Sequence, residues 1–275
     1  MSFSVNTNNG AMTALQYLTQ TEGSLAQTEN QISTGQKVAT AKDNGATFAI
    51  AQNMRGDVAA YSAVSDSLSR GMSSLDVAMS AGQSISDLLV QMKQEALAAS
   101  DTSLNTASRQ AVNEQFTALR DQIKSVVANA TFNGFNLVNG STTQITALAS
   151  SDGTRHVTVQ AENMSLSGSI VTITSTASVS TIAKASTMIA TVEASLTNVN
   201  SALGKLSAGS AKFSVQANFV SKLSDALTSG IGSLVDANMA QESALLQSLQ
   251  VKQQLGVQAL SIANQAPQVT LSLFH

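Results

Sequence analysis

Cysteine is absent from the 275 residues, tryptophan is absent too, proline occurs once and histidine twice. Without thiols there can be no disulfide, no thiolate nucleophile and no Cys-ligated metal. His156 and His275 are far apart, whereas a His-ligated metal site needs several imidazoles converging on one point. No HExxH, GxSxG or GxGxxG pattern occurs. The nearest approach to a phosphate loop is Leu203-Gly204-Lys205, which has Val199 where the first glycine belongs and Leu206 after the lysine. These gaps predict a chain that is not an enzyme and uses no metal or cofactor. Charge is scarce as well: 11% of residues are charged and the formal net charge is −3, which gives no electrostatic footprint for nucleic acid or an anionic membrane. No run of 18 apolar residues exists to span a bilayer. The first residues, Met1-Ser2-Phe3-Ser4-Val5-Asn6, lack a basic segment followed by an apolar one, so export would proceed without a cleaved signal peptide.

What the chain does have is 40 alanines and 107 Ser, Thr, Asn and Gln residues, a mixture suited to long helices with small side chains. Its main signal is periodicity. Met54, Val58, Tyr61, Val64, Leu68, Met72, Leu75, Met79, Gly82, Ile85, Leu89, Met92, Ala96 and Ala99 make thirteen steps over 45 residues, a coiled-coil spacing. Gly82 is the weak member of this seam, because glycine costs about 1 kcal/mol against alanine in a helix. Val112, Phe116, Leu119, Ile123, Val126 and Ala130 repeat the pattern. So do Ile182, Ala185, Ile189, Val192, Leu196, Val199, Leu203 and Leu206, continuing after Gly209 through Phe213, Val220, Leu223, Leu227, Ile231 and Leu234. The fold class this predicts is mainly α: a left-handed bundle of long helices. Between the second and third helices, Asn133-Gly134, Asn139-Gly140 and Asp152-Gly153 are turn dipeptides. They frame alternating or β-branched segments, and residues 141–175 are predicted as a small β element of two to four short strands.

The two ends read differently. Ala11, Leu18, Leu25 and Ile32 recur at strict seven-residue spacing, with Val5, Met12 and Leu15 beside them on an otherwise polar helix. A single thin stripe cannot hold such a helix to a core unaided. From about residue 236, Met239, Leu245, Leu246, Leu249, Val251, Leu255, Val257, Leu260 and Ile262 spread over more than one face, and Pro267 is expected to end that helix. Both ends are expected to be largely unfolded in an isolated monomer.

Several ordered segments then carry a resemblance. They are Val5-Asn6-Thr7-Asn8, Ile32-Ser33-Thr34-Gly35-Gln36-Lys37, Ala41-Lys42-Asp43, Ala49-Ile50-Ala51 and Thr131-Phe132-Asn133-Gly134. At the far end stand Ala259-Leu260-Ser261-Ile262-Ala263-Asn264-Gln265-Ala266-Pro267-Gln268 and Leu271-Ser272-Leu273-Phe274. Together the chain resembles bacterial flagellin, in particular the short flagellins of alphaproteobacteria. The large outer domains usual in that family are missing. The segment Gly230-Ile231-Gly232-Ser233-Leu234-Val235-Asp236 also lacks the basic residues of enteric relatives.

The resemblance implies a structural subunit that polymerises into the tubular flagellar filament outside the cell, for swimming motility. It implies terminal helices paired as a coiled coil in an inner layer, residues 1–42 with 236–275, and residues 43–235 in the layer outside it. It also implies unfolded export through the flagellar type III apparatus and the following partners: further copies of itself or other flagellins, an export chaperone, and cap and hook-associated proteins. Alternatives are a hook–filament junction protein and a coiled-coil effector exported by a related type III system. The expected assembly interface comprises Ala11, Leu18, Leu25 and Ile32 on the N-terminal helix. Its C-terminal counterpart comprises Leu245, Leu249, Leu260, Leu271, Leu273 and Phe274. Asp43, Asn44 and Gly45 are expected to form a hinge between layers. Phe132 and Phe135 are expected to plug the end of the bundle.

Overall fold

A computed structural model describes the backbone of residues 7–272 and the side chains of residues 7–265. Five helices and one hairpin follow in chain order: α1 (Asn9–Thr34), α2 (Gly45–Ala99), α3 (Thr106–Asn129), β1 (Gln144–Leu148), β2 (His156–Gln160), α4 (Ile182–Val235) and α5 (Met239–Ser272). Short polar side chains start all five helices by accepting an otherwise orphaned backbone N–H. Asn8 Oδ1 accepts from Ala11 N and Asn44 Oδ1 from Thr47 N, each at 3.0 Å. Asn105 Oδ1 accepts from Ser108 N at 2.8 Å, Thr181 Oγ1 from Lys184 N at 3.3 Å and Asn238 Oδ1 from Gln241 N at 3.3 Å.

The chain forms two compact units. One is Asp57–Asp225; the other takes the chain before it, to Gly56, and after it, from Ala226. Within Asp57–Asp225 the helical seams are the core. Val64, Leu68, Leu75, Ile85, Leu89, Met92, Ala96 and Ala99 of α2 are buried, as are Phe116 and Ile123 of α3 and Ala185, Val192, Val199, Leu206, Phe213 and Val220 of α4. Gly82 has a steric reason: a Cβ there would fall 2.7 Å from Leu203 Cδ2 and 3.2 Å from Met164 Cε. Gly71 is more tightly constrained, since its Cβ would stand 2.6 Å from Phe213 Cε2, an atom of a rigid buried ring. α4 passes Gly209 without a break, so the two apolar stretches that flank it are one helix.

The β element is a single antiparallel hairpin, with Thr146 opposite Thr158 and Leu148 opposite His156. The β-branched run Ser169–Thr174 is not a strand. Val171 and Ile173 are buried there, and the backbone is served partly by α4 side chains: Thr172 N donates to Ser195 Oγ at 3.1 Å, and Asn198 Nδ2 donates to Ile170 O at 3.3 Å. It is served partly by the preceding turn, with Ser167 N donating to Ile173 O at 2.8 Å and Gly168 N to Val171 O at 3.1 Å.

Phe135 departs from expectation. Asn133 and Gly134 both adopt positive φ, 48° and 82°, as a tight hairpin turn requires, and Phe132 and Phe135 exchange two backbone hydrogen bonds of 2.9 Å. The turn leaves Phe132 half-buried but Phe135 53% exposed, on a groove of about 470 Å³ with Arg70, Gly71 and Ile145. Asn136, Leu137 and Val138 are the buried residues at this bend, held by Asn136 Nδ2 donating to Val127 O at 2.8 Å. Arg109 closes the other bend, donating to the carbonyls of Ala99, Asp101 and Leu104 at 2.9, 2.7 and 3.1 Å.

In the terminal unit, α1 ends at Gly35, whose φ of 70° is a left-handed cap. α5 does not stop at Pro267; the helix continues to Ser272. A proline inside a helix removes the hydrogen bond to the carbonyl four residues earlier. That carbonyl is Ala263 O, and it accepts from Asn8 Nδ2 at 2.7 Å instead.

Candidate assembly interface

The site is built from α1 and α5, which pack against each other. The packing is antiparallel, with Asn8 at Ala263, Leu18 at Gly256 and Gln36 bridged to Asp236. The seven-residue stripe of α1 exists because two turns of helix return a side chain to nearly the same face. Leu18 is the buried member, and Ala11, Leu25 and Ile32 are half-buried on the same side. Thr28, at 2% exposure, completes the stripe, a polar position that an apolar pattern passes over. On α5, Leu249 is buried and Leu260 half-buried. Gly256 permits the close approach, for a Cβ there would already lie 3.2 Å from Leu18 Cδ1. Leu271 lies on the described backbone of α5 but its side chain is outside the described residues, as are Leu273 and Phe274 entirely.

Backbone hydrogen bonds pin the far end of the pair. Lys37 N and Val38 N donate to Val235 O at 2.7 and 3.2 Å, and Ala237 N donates to Gly35 O at 2.9 Å. Val38, Ala51 and Val235 form a small buried cluster there, with Phe48 and Ile231 beside it. Asp43 is held within its own turn: Oδ2 accepts from Thr40 N at 2.8 Å, Thr40 Oγ1 at 3.1 Å and Ala39 N at 3.1 Å. The Thr40 backbone N–H, foremost among these donors, holds the carboxyl below its ordinary range. Asn44 caps α2, and Gly45 is the first residue of that helix.

The outer faces of both helices carry apolar side chains that this seam does not use. Met12 is 65% exposed and Tyr17 66%, with Leu15 near them. Leu245, Val251, Leu255, Val257 and Ile262 are likewise exposed on α5. Sequence reasoning placed Met12, Leu15 and the α5 residues on these helices but did not separate an inner from an outer set. Tyr17 it missed altogether. The signal was available as apolar residues off the seven-residue stripe. Among the described residues no three potential metal ligands converge, and no helix is long and apolar enough to cross a membrane.

A narrow intramolecular seam between long helices, with apolar residues on their outer faces, defines a class: a long-helix coiled-coil protein. Comparisons with known proteins supply the family. Residues 5–143 match the bacterial flagellin N-terminal helical region, and residues 189–274 match the bacterial flagellin C-terminal helical region. Flagellin FljK of Caulobacter vibrioides is 52% identical over 272 residues, covering 99% of this chain and 98% of that one. The flagellin of Brucella melitensis is 37% identical over 281 residues, covering 99% of each. A crystal structure of Bacillus cereus flagellin is similar with a TM-score of 0.49 and 20% identity, over 55% of this chain and 86% of that one.

The chain belongs to the bacterial flagellin family, a family of structural proteins, and is a structural subunit of the flagellar filament.

Proposed function

We propose that polymerisation runs through the outer faces of the α1–α5 pair, and that this pair acquires its stable fold only as neighbouring copies cover it. The observation that carries the reading is the exposed apolar set, Met12, Leu15 and Tyr17 on α1 with Val251, Leu255, Val257 and Ile262 on α5. Covering even two such side chains contributes about 3–6 kcal/mol. Exposed ion pairs, at about 0–1 kcal/mol each, cannot match that. Two different faces meeting head to tail produce a contact that does not close on itself, and such a contact propagates into an open fibre. The intramolecular seam, with Leu18 and Leu249, sets the geometry of the pair; the outer faces supply the adhesion.

In this reading the chain leaves the cell unfolded through the flagellar type III route. The absence of cysteine suits that passage, since no thiol can cross-link on the way. An export chaperone covers the apolar C-terminal residues before export, and cap and hook-associated proteins meet the same helices at the filament's two ends. The turn at Asp43, with Asn44 and Gly45, serves as the hinge between the inner and outer layers. Limited proteolysis tests the folding claim. Depolymerised protein should be cleaved within α1 and α5 while Asp57–Asp225 resists, and assembled filament should resist throughout. Equal resistance of α1, α5 and the middle in the depolymerised protein would refute folding on assembly.

A further inference from the structure

Asn8 acts on two helices at once. Its Oδ1 accepts from Ala11 N at 3.0 Å and starts α1, while its Nδ2 donates to Ala263 O at 2.7 Å on α5. The second bond joins residues 255 positions apart in the chain. Its acceptor is not an arbitrary carbonyl. An α-helix pairs each carbonyl with the N–H four residues on, and for Ala263 that residue is Pro267, which has no N–H. A buried or half-buried carbonyl left without a donor is costly, so the only proline in the chain creates a need that the side chain of Asn8 meets.

We propose that Asn8 and Pro267 form a register lock, in which the turns of α5 beyond Ala263 are stable as helix only when α1 is docked with Asn8 opposite that carbonyl. The proposal rests on the reading of the terminal pair as the assembly element and adds what sets its alignment. The apolar stripe alone cannot do so. Ala11, Leu18, Leu25 and Ile32 recur every seven residues, so sliding α1 by one heptad presents an almost equivalent row of side chains. Displacement by even one turn carries Asn8 about 5.4 Å along the axis, beyond hydrogen-bond reach. A single polar contact in an apolar seam is an established way of choosing one register among several. Here the contact is asymmetric: it penalises misaligned pairs through an unserved carbonyl on one helix and an idle amide on the other.

The test is a cycle of full-length variants: Asn8→Ser, Pro267→Ala and the double variant. Serine caps a helix about as well as asparagine but is too short to reach Ala263 O. Alanine at 267 restores a backbone N–H for that carbonyl. The critical concentration for polymerisation, read by sedimentation, should rise about tenfold for Asn8→Ser. Hydrogen exchange of amides 264–272 in pelleted filament should quicken. In the Pro267→Ala background the same Asn8→Ser change should have little effect on either readout. Wild-type behaviour of Asn8→Ser would overturn the lock. An undiminished penalty in the Pro267→Ala background would overturn it too, because the loss would then come from the α1 cap. Failure of the wild-type chain to polymerise at all is a distinct result, and it would overturn the assembly reading itself.

Discussion

Truncating Leu18 to alanine is the sharpest perturbation of the terminal pair. Leu18 is 9% exposed, packs on the Gly256 backbone face of α5, and lines with Leu249 the same stretch of seam. Leucine-to-alanine changes at buried sites cost about 2–5 kcal/mol, with the cost depending on how far the site can collapse. A two-helix seam collapses more readily than a core, which places Leu18→Ala near the low end, about 2–3 kcal/mol. Every subunit added to a filament must form this seam, so the whole penalty enters the elongation equilibrium. At about 1.4 kcal/mol per tenfold, the critical concentration should rise roughly 30- to 140-fold. Sedimentation across a range of total concentrations measures this directly. Circular dichroism on the supernatant should show the middle helices unchanged, because Leu18 lies outside Asp57–Asp225. Lys222, exposed on α4 within the middle unit and outside both terminal helices, changed to alanine, is the control and should leave the critical concentration where it was. A Leu18→Ala protein that polymerises within about twofold of wild type would refute the idea that the α1–α5 seam must form for each subunit to add.

Two further expectations concern the middle unit. Gly71→Ala should lower the thermal midpoint by about 2–4 °C per kcal/mol lost, despite alanine's better helix propensity, because the buried Phe213 ring 2.6 Å from the new Cβ has no room to turn aside; an unchanged or raised midpoint in a melting scan would contradict this. Asp152, at the tip of the β hairpin, accepts from the hydroxyl of Ser150 and from Thr154 N and Oγ1, and the Ser150 bond foremost lowers its pKa from 3.8 to about 2. A depressed carboxylate pKa contributes stability that is fully present above 3.8 and is lost as pH falls through about 2. An NMR titration of the Asp152 carboxyl should therefore find its midpoint well below that of the free side chain, with loosening of residues 150–154 confined to that acid range.

The helical seams were legible in the sequence because they are local periodicities: Val64 to Ala99 and Ala185 to Val220 need only their own spacing to declare an inner face. The Asn133-Gly134 turn was legible for the same reason, since its conformation is a property of two adjacent residues. What escaped depends on partners remote in the chain. The run at Ser169–Thr174 has strand propensity, but Ser195 and Asn198 of α4, with the backbone of Ser167 and Gly168, serve it in place of a neighbouring strand. The carbonyl that Pro267 leaves without a helical donor, Ala263 O, is served by Asn8, at the opposite end of the sequence. The exposure of Phe135 follows from the direction in which a tight turn points its last residue, and two of the three carbonyls gathered by Arg109, those of Asp101 and Leu104, come from a loop that no periodicity describes. For the terminal helices the stripe was readable, while the outer face was signalled only by apolar residues off that stripe, which the antiparallel pairing separates from the seam.

The central claim is that neighbouring copies cover the outer faces of the terminal helices, and methionine oxidation measures it most directly. Met12 stands 65% exposed on the outer face of α1, whereas Met92 and Met164 are fully buried in the middle unit and provide internal references for a protected thioether. Peroxide converts accessible methionine to the sulfoxide, and mass spectrometry reports each site separately in free chain and in filament. Met12 should react rapidly in the free chain and as slowly as Met92 once polymerised. Met12 that reacts in the filament as fast as in the free chain would contradict the account.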